Sequence, residues 1–279
     1  MGRGRELDLV LAAVTAGRDV LLEGPPGTSK STLLRAITAS WGVPFVLVEG
    51  NAELTPAKLV GHHNPARVLR EDYSADNFVP GPLIEAMQGG GFLYIEELNR
   101  APEDTLNTLL AAMAEREVAV PRVGRIAAAS SFRVMASMNP FDNVGTARIS
   151  DSVYDRWCRL AVGYQDAGEE AAIVRLRTGS EDGRLVEDAV ALTRATRRHP
   201  ELRRGSSVRG AIDLVAVAEE LRSLRGGPTS EDGYRELVLD AAQLALSARI
   251  TVDETSDLTP EDVIAAIWHR LHPDGSRPG

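Results

Sequence analysis

Gly24-Pro25-Pro26-Gly27-Thr28-Ser29-Lys30-Ser31-Thr32 (GPPGTSKST) stands where a short apolar run gives way to a helical pattern, and this junction decides the fold. Asp19 to Glu23 (DVLLE) reads as a buried strand, and from Ser31 the spacing of Leu33, Leu34 and Ile37 reads as an amphipathic helix. A strand, a Gly/Pro-rich turn and a helix start make a cradle for phosphate. The first backbone N–H groups of a helix have no partner of their own and carry partial positive charge, so an anion completes them. Lys30 adds a compact ammonium for the outer phosphates, and the Ser31 hydroxyl is placed to ligate Mg²⁺. Ser29 departs from the usual pattern, because the position before the lysine normally holds glycine, which is free to adopt positive φ. Lysine occurs only at Lys30 and Lys58, so a chain whose basic charge is nearly all arginine still has in this loop the residue whose narrow head group fits between phosphates.

The 279 residues suit one large or two ordinary domains, and 43% hydrophobic with 25% charged residues is enough for a full core. A formal charge of −9 argues against non-specific binding to nucleic acid or to an anionic membrane. The single cysteine, Cys158, excludes an intrachain disulfide, fits a reducing compartment and reads as a small core residue beside Trp157. No apolar run approaches the about eighteen residues of a membrane span, and MGRGRELD is not followed by the apolar stretch of a signal peptide. The cytoplasm is the expected location.

Leu9, Val10, Ala13 and Val14 predict a helix over Leu7 to Ala16, before the first strand. Phe45 to Glu49 (FVLVE) predicts a second strand. The polar, proline-punctuated stretch from Asn51 to about Gly81 is too long for a plain connection and reads as an insertion with short elements of its own. Phe92 to Glu97 (FLYIEE) predicts a third strand, and APEDTLNTLLAAMAERE a helix that buries Leu106, Leu109, Leu110 and Met113. Val118 to Ala128 reads as a hairpin, Phe132 to Met138 as a fourth strand ending at Asn139-Pro140, and Arg159 to Tyr164 as a fifth. Five strands separated mostly by helices imply an α/β fold with a parallel, doubly wound sheet and ligands at the C-terminal strand ends.

Beyond Gln165 the strand signals stop. Helical spacing recurs in Leu185, Ala189 and Leu192, in Leu214, Val217, Leu221 and Leu224, and in Leu237, Ala241, Leu244 and Ala248. Thr259-Pro260-Glu261-Asp262 opens a last helix expected to bury Val263, Ile264, Ile267 and Leu271. The chain therefore divides into an α/β core, residues 1–165, and a helical domain, residues 166–279. Gly226-Gly227-Pro228 and the terminal PDGSRPG read as loop and tail.

Glu96 and Glu97 close an apolar strand, and neighbours on a strand point to opposite faces, so they have different tasks. Glu96 reads as the acid of the Mg²⁺ shell and Glu97 as the base that orients the water attacking the outer phosphate. Asn139 emerges beside them and reads either as a phosphate or water contact or as a turn-forming Asn-Pro. Asp155-Arg156-Trp157 reads either as an arginine finger presented across a subunit interface or as a surface ion pair. Arg209 stands one turn into a helix capped by Ser206 or Ser207. The five histidines lack metal-ligand spacing and read as solvent-facing or capping.

The order of these pieces resembles the MoxR-type AAA+ ATPases, relatives of the magnesium-chelatase AAA+ subunit. The resemblance runs from Leu7 to about Leu271. It rests on GPPGTSKST, on VPGPLIEAMQGGGFLYIEELNRAP (Val79 to Pro102), on LLAAMAEREV, MASMNP and DRW, and further on GSSVRGA and LTPEDVIAAIWHRL. It implies a P-loop nucleotide-binding core with an insertion in the second helix and a hairpin before the sensor strand, followed by an all-helical lid. It also implies a homo-oligomeric ring, a hexamer, with ATP and Mg²⁺ between neighbours. On this resemblance Lys30 and Ser31 form Walker A, Glu96 and Glu97 Walker B, Asn139 sensor 1, Arg156 the finger acting in the next subunit and Arg209 sensor 2. Ser29 and Glu96 depart from the family's usual Ala or Gly and Asp. Family members act on other proteins, often with a partner that carries a von Willebrand factor A domain. The alternatives are a nucleic-acid motor or loader, a small-molecule kinase and a non-hydrolysing nucleotide-gated scaffold.

Overall fold

The computed structural model describes residues 2–71, 74–140, 151–228 and 230–273, so the expected tail PDGSRPG lies, after its first residue Pro273, outside the described residues. The chain forms two compact units, Arg3–Gly163 and Tyr164–Gly279, the latter with residues 1–2.

The first unit opens with α1 (Gly4–Thr15), β1 (Val20–Glu23), α2 (Lys30–Trp41) and β2 (Phe45–Glu49). The proline-rich insertion folds into α3 (Pro56–Val60), β3 (Gly61–His63), α4 (Pro65–Glu71) and β4 (Phe78–Pro80), with β3 and β4 paired antiparallel. Thr55 starts α3 by accepting a hydrogen bond from the Lys58 N–H, with Pro56 at the first helical position. Then come α5 (Pro82–Gly89), β5 (Phe92–Glu96), α6 (Glu103–Glu115), the expected hairpin β6 (Glu117–Val120) and β7 (Gly124–Ala127), β8 (Arg133–Met138), α7 (Asp151–Tyr154) and β9 (Cys158–Ala161).

The five principal strands are parallel in the order β2-β5-β8-β1-β9. Side chains alternate across the sheet and build a core on each face. Val20, Leu22, Phe92, Tyr94 and Met135 pack with Val10 and Val14 of α1 and with Leu34 and Ile37 of α2. Leu21, Leu93, Ile95, Val134 and Ala136 pack with α5 and α6, where the expected Leu106, Leu109, Leu110 and Met113 are all buried. Two expectations need correction. The third strand stops at Glu96, because Glu97 turns into the left-handed region at φ 55. Cys158 is exposed rather than core, because β9 is an edge strand; Trp157 just before it supplies the burial.

The second unit comprises α8 (Ala167–Thr178), α9 (Gly183–Thr196), β10 (Leu202–Arg204), α10 (Val208–Arg225), α11 (Glu231–Leu246), β11 (Thr251–Val252) and α12 (Pro260–Leu271). It is helical as expected but also contains an antiparallel ribbon of β10 and β11, too short for an alternating pattern to reveal. Helix α8 escaped the sequence reading because its buried apolar residues are only Ala171 and Val174; its start is a capping box of Asp166 and Glu169. The expected apolar stripes run too far. Leu224, Leu244 and Leu271 are exposed at 82%, 73% and 39%, and Ala248 is exposed as well. Alanines and Trp268 fill the core instead: Ala211 and Ala218 on α10, Ala241, Ala242 and Ala245 on α11, and Trp268 on α12, whose indole donates to Arg235 O. The Thr259–Asp262 capping box and burial of Val263, Ile264 and Ile267 match the reading. His272 is not solvent-facing, since its ring lies on Trp268 and its Nε2 is 3.2 Å from Asp188. Among the described residues no helix is long and apolar enough to cross a membrane.

Glu170 of α8 is buried, with Arg194 and Arg197 at 3.0 and 2.8 Å. Removing one partner of a buried ionic cluster leaves the other charges uncompensated. Glu170→Ala is expected to lower the stability of the helical unit by about 3 kcal/mol in urea unfolding.

Candidate active site

Strand β1 runs between β8 and β9, with Glu23 opposite both Met138 and Ala161. The Gly24 N–H continues the ladder by donating to Met138 O at 3.1 Å. A Cβ on Gly24 would lie 2.0 Å from Val162 O, so only glycine lets the chain leave the sheet here. The loop then turns through Gly27 at φ 75 and Ser29 at φ 62 before α2 begins at Lys30. The departure at Ser29 thus falls on a left-handed residue, where a side chain costs about 1–2 kcal/mol.

Lys30 folds back over this loop. Its Nζ donates to Gly24 O and Pro25 O, both at 2.9 Å, and lies 3.3 Å from Thr28 Oγ1. Buried Thr28 donates its hydroxyl proton to Pro25 O. Outside the loop, Arg3 Nη2 donates to Thr28 O at 3.1 Å and to Gly163 O at 2.7 Å, a clamp that nothing in the sequence signalled. Thr32 is exposed in the first turn of α2.

Ser31 Oγ donates to Glu96 Oε1 at 2.9 Å and lies 3.2 Å from Tyr94 Oη, which is itself 2.7 Å from Ser137 Oγ. The first helical turn of α2 and the end of β5 are thereby joined. Burial holds the Tyr94 phenol above its ordinary range, with the Ser137 and Ser31 hydroxyls pulling the other way. Tyr94 and Ser137 were missed because each sits in an otherwise apolar strand run that reads as core.

Glu97 leaves the strand and its carboxylate is 3.2 Å from Arg100 Nε, with both side chains partly exposed. The tight turn is held from below. Gly50 N donates to Glu96 O at 2.7 Å, and a Cβ there would stand 2.3 Å from Glu97 O. Asn139 follows Met138, whose carbonyl receives the Gly24 N–H, so it stands beside the first loop residue; Asn99 Nδ2 donates to its carbonyl at 3.5 Å. Glu23, also unforeseen, is buried under the loop and paired with Arg159 of β9.

The remaining candidates lie elsewhere. Arg156 is exposed just before β9, whose Cys158 pairs with Val20 at the start of β1, so it stands at the sheet end opposite the loop. Arg156, Arg18, Asp19 and Arg116 line one cleft there, in which Asp19 is buried against Arg116. Arg209 is exposed in the first turn of α10, and Ser207 rather than Ser206 caps that helix. Gly24–Thr32, Glu96, Glu97 and Asn139 are therefore gathered at one edge of the first unit, Arg156 is at its other edge, and Arg209 belongs to the second unit.

Residues 19–157 match the AAA domain family of the dynein-related subfamily. The chain belongs to the AAA ATPases, in their MoxR-like branch. It is 27% identical over 279 residues to the gas vesicle ATPase GvpN of Ancylobacter aquaticus, covering 94% of this chain and 76% of that one. It is 26% identical over 261 residues to the chaperone MoxR1 of Mycobacterium tuberculosis, covering 81% and 66%. Among solved structures the Holliday junction branch migration motor RuvB of Thermotoga maritima shares the fold, with a TM-score of 0.54 at 16% identity over 86% of this chain and 67% of that one. As a AAA ATPase the chain binds nucleotide and hydrolyses ATP. Because the Gly50 backbone lies directly under the Glu97 turn, Gly50→Ala is expected to push Glu97 out of place. ATP turnover should fall by about tenfold or more while the melting temperature drops only a few degrees, measured by phosphate release and thermal unfolding.

Proposed function

We propose that this ATPase is cytoplasmic, binds ATP with Mg²⁺ at Gly24–Thr32, assembles into a homo-oligomeric ring, a hexamer, and uses turnover to remodel or mature a partner protein. The observation that carries the reading is the hydrogen bond between Ser31 and Glu96, which joins phosphate loop and acidic strand end at a helix start. Two oxygen donors suit a hard divalent cation that takes its other ligands from phosphate and water. The described residues hold no cluster of three or more His, Cys, Asp or Glu that would trap a metal without nucleotide. When bound, Mg²⁺ would neutralise charge on the outer phosphate oxygens.

In this reading Lys30 exchanges its loop carbonyls for phosphate oxygens, and an ammonium bonded to an anionic oxygen is held more strongly than one bonded to a neutral carbonyl. The N–H groups from Gly27 to Thr32 receive the remaining phosphate charge. Glu97 releases Arg100, a partly exposed pair worth little in water, and takes a proton from the attacking water. Asn139 positions that water or the outer phosphate.

Arg156 supports the assembly. At about 3.3 Å per strand residue, the length of β1 separates it from its own loop, so its guanidinium serves a neighbouring subunit's site. Arg209 reports nucleotide state to the helical unit. The name of the relative, chaperone MoxR1, supports a chaperone-like action. In this proposal the action extends to insertion of metal into a client, with a von Willebrand factor A domain protein as the adaptor. The −9 charge does not favour a nucleic-acid track.

Glu97→Gln is expected to keep ATP binding and lose at least about a hundredfold in turnover. Arg156→Ala is expected to lose about a thousandfold while each protomer folds normally. Mixing the two variants should restore part of the activity, because an intact loop and acid then meet an intact finger; additive, uncomplemented rates would remove Arg156 from a shared site.

A further inference from the structure

Tyr94 is fully buried in β5, with its ring centroid 5.7 Å from that of Phe45. Phenylalanine would fill the same space, and Phe92 does so two residues earlier on the same face. A hydroxyl in this core is costly unless it is hydrogen-bonded. Ser137 is likewise buried, the one polar residue among the inner positions Val134 to Met138 of β8. The two hydroxyls meet at 2.7 Å, and the phenol continues to Ser31 Oγ at 3.2 Å.

Each hydroxyl has a single proton and two lone pairs. The Ser31 proton goes to Glu96, because a carboxylate is a stronger acceptor than a neutral oxygen. Ser31 can then only accept from Tyr94, and Tyr94, having given its own proton, can only accept from Ser137. The chain therefore runs one way, from Ser137 to Tyr94 to Ser31 to Glu96, and each link polarises the next. It occupies the proton and one lone pair of the Ser31 hydroxyl and leaves one lone pair over.

We propose that Tyr94, held by Ser137, is a positioning residue for the divalent cation: its hydroxyl fixes the rotation of the Ser31 hydroxyl so that one lone pair is kept for the metal. This rests on the reading of Gly24–Thr32 as the Mg²⁺-nucleotide site. The same chain ties Ser31 to β8, the strand that leads into Asn139, so the cation end and the outer-phosphate end of the site share one internal brace.

Binding of fluorescent mant-ADP to the full-length protein, in EDTA and in saturating Mg²⁺, tests this. Wild type should bind more tightly with Mg²⁺. Tyr94→Phe should keep the EDTA affinity and the melting temperature of wild type to within a few degrees, while the gain on adding Mg²⁺ shrinks by about tenfold. Ser137→Ala should shrink it in the same direction and by less. A merely structural role would weaken binding equally in both conditions, and that result overturns the proposal. So does an undiminished Mg²⁺ gain in Tyr94→Phe. Absence of any Mg²⁺ gain in wild type would instead overturn the underlying site reading, and this proposal with it.

Discussion

The gap through which Gly24 leaves the sheet is the constraint on which the site depends. Strand β1 is hydrogen-bonded on both sides, by β8 and by β9, so the chain beyond it emerges between two strand ends with no space for a side chain. A parallel sheet with helical crossovers leaves its C-terminal edge open, and α2 begins there. Loop carbonyls are turned inward toward Lys30, and the start of α2 carries the partial positive charge that draws an anion.

Around that exit the backbone is strained where chemistry is expected. Of the non-glycine residues described at positive φ, two are Ser29 and Glu97, one before the loop lysine and one just past the acidic end of β5. Each such conformation costs about 1–2 kcal/mol and persists only when its surroundings determine it. Ser29 is flanked by Thr28, whose carbonyl Arg3 holds, and by the helix start. Glu97 is flanked by Glu96, whose carbonyl is taken by Gly50 and whose side chain is taken by Ser31. The two strained turns are thus fastened to one another through the Ser31–Glu96 bond.

The AAA fold accounts for ATP turnover and leaves the object of that turnover to other surfaces. Relatives of similar identity include a gas vesicle ATPase and a chaperone, and a motor that acts on Holliday junctions shares the fold at lower identity. Phosphoryl transfer asks mainly for positioning and charge, which a helix start facing a strand-end acid can supply. The helical unit has its own means of cohesion, alanine-rich helix contacts and the buried Glu170 cluster, and so folds around a core distinct from that of the α/β unit.

Much of this was legible in order along the chain. GPPGTSKST, FLYIEE and the strand ending at Asn139 carry short-range signals, since period, turn residues and helix starts are properties of a few neighbours, and they determined the α/β class, the hairpin and the insertion. What the strands and helices do to one another was not legible. Tyr94 and Ser137 look like core in their own runs and meet only because β5 and β8 are adjacent; Gly50 matters only because another backbone closes over it, and Glu23 only because β9 brings Arg159 beside it. In the helices the leucines at 224 and 244 fit the period yet face solvent, because a repeat of 3.6 fixes a stripe but not where the neighbouring helix ends. Local order specified the elements and the chemistry they could carry, while packing across the sheet decided which side chains share a proton, because those partners are separated by 40 residues or more, as Tyr94 and Ser137 are by 43.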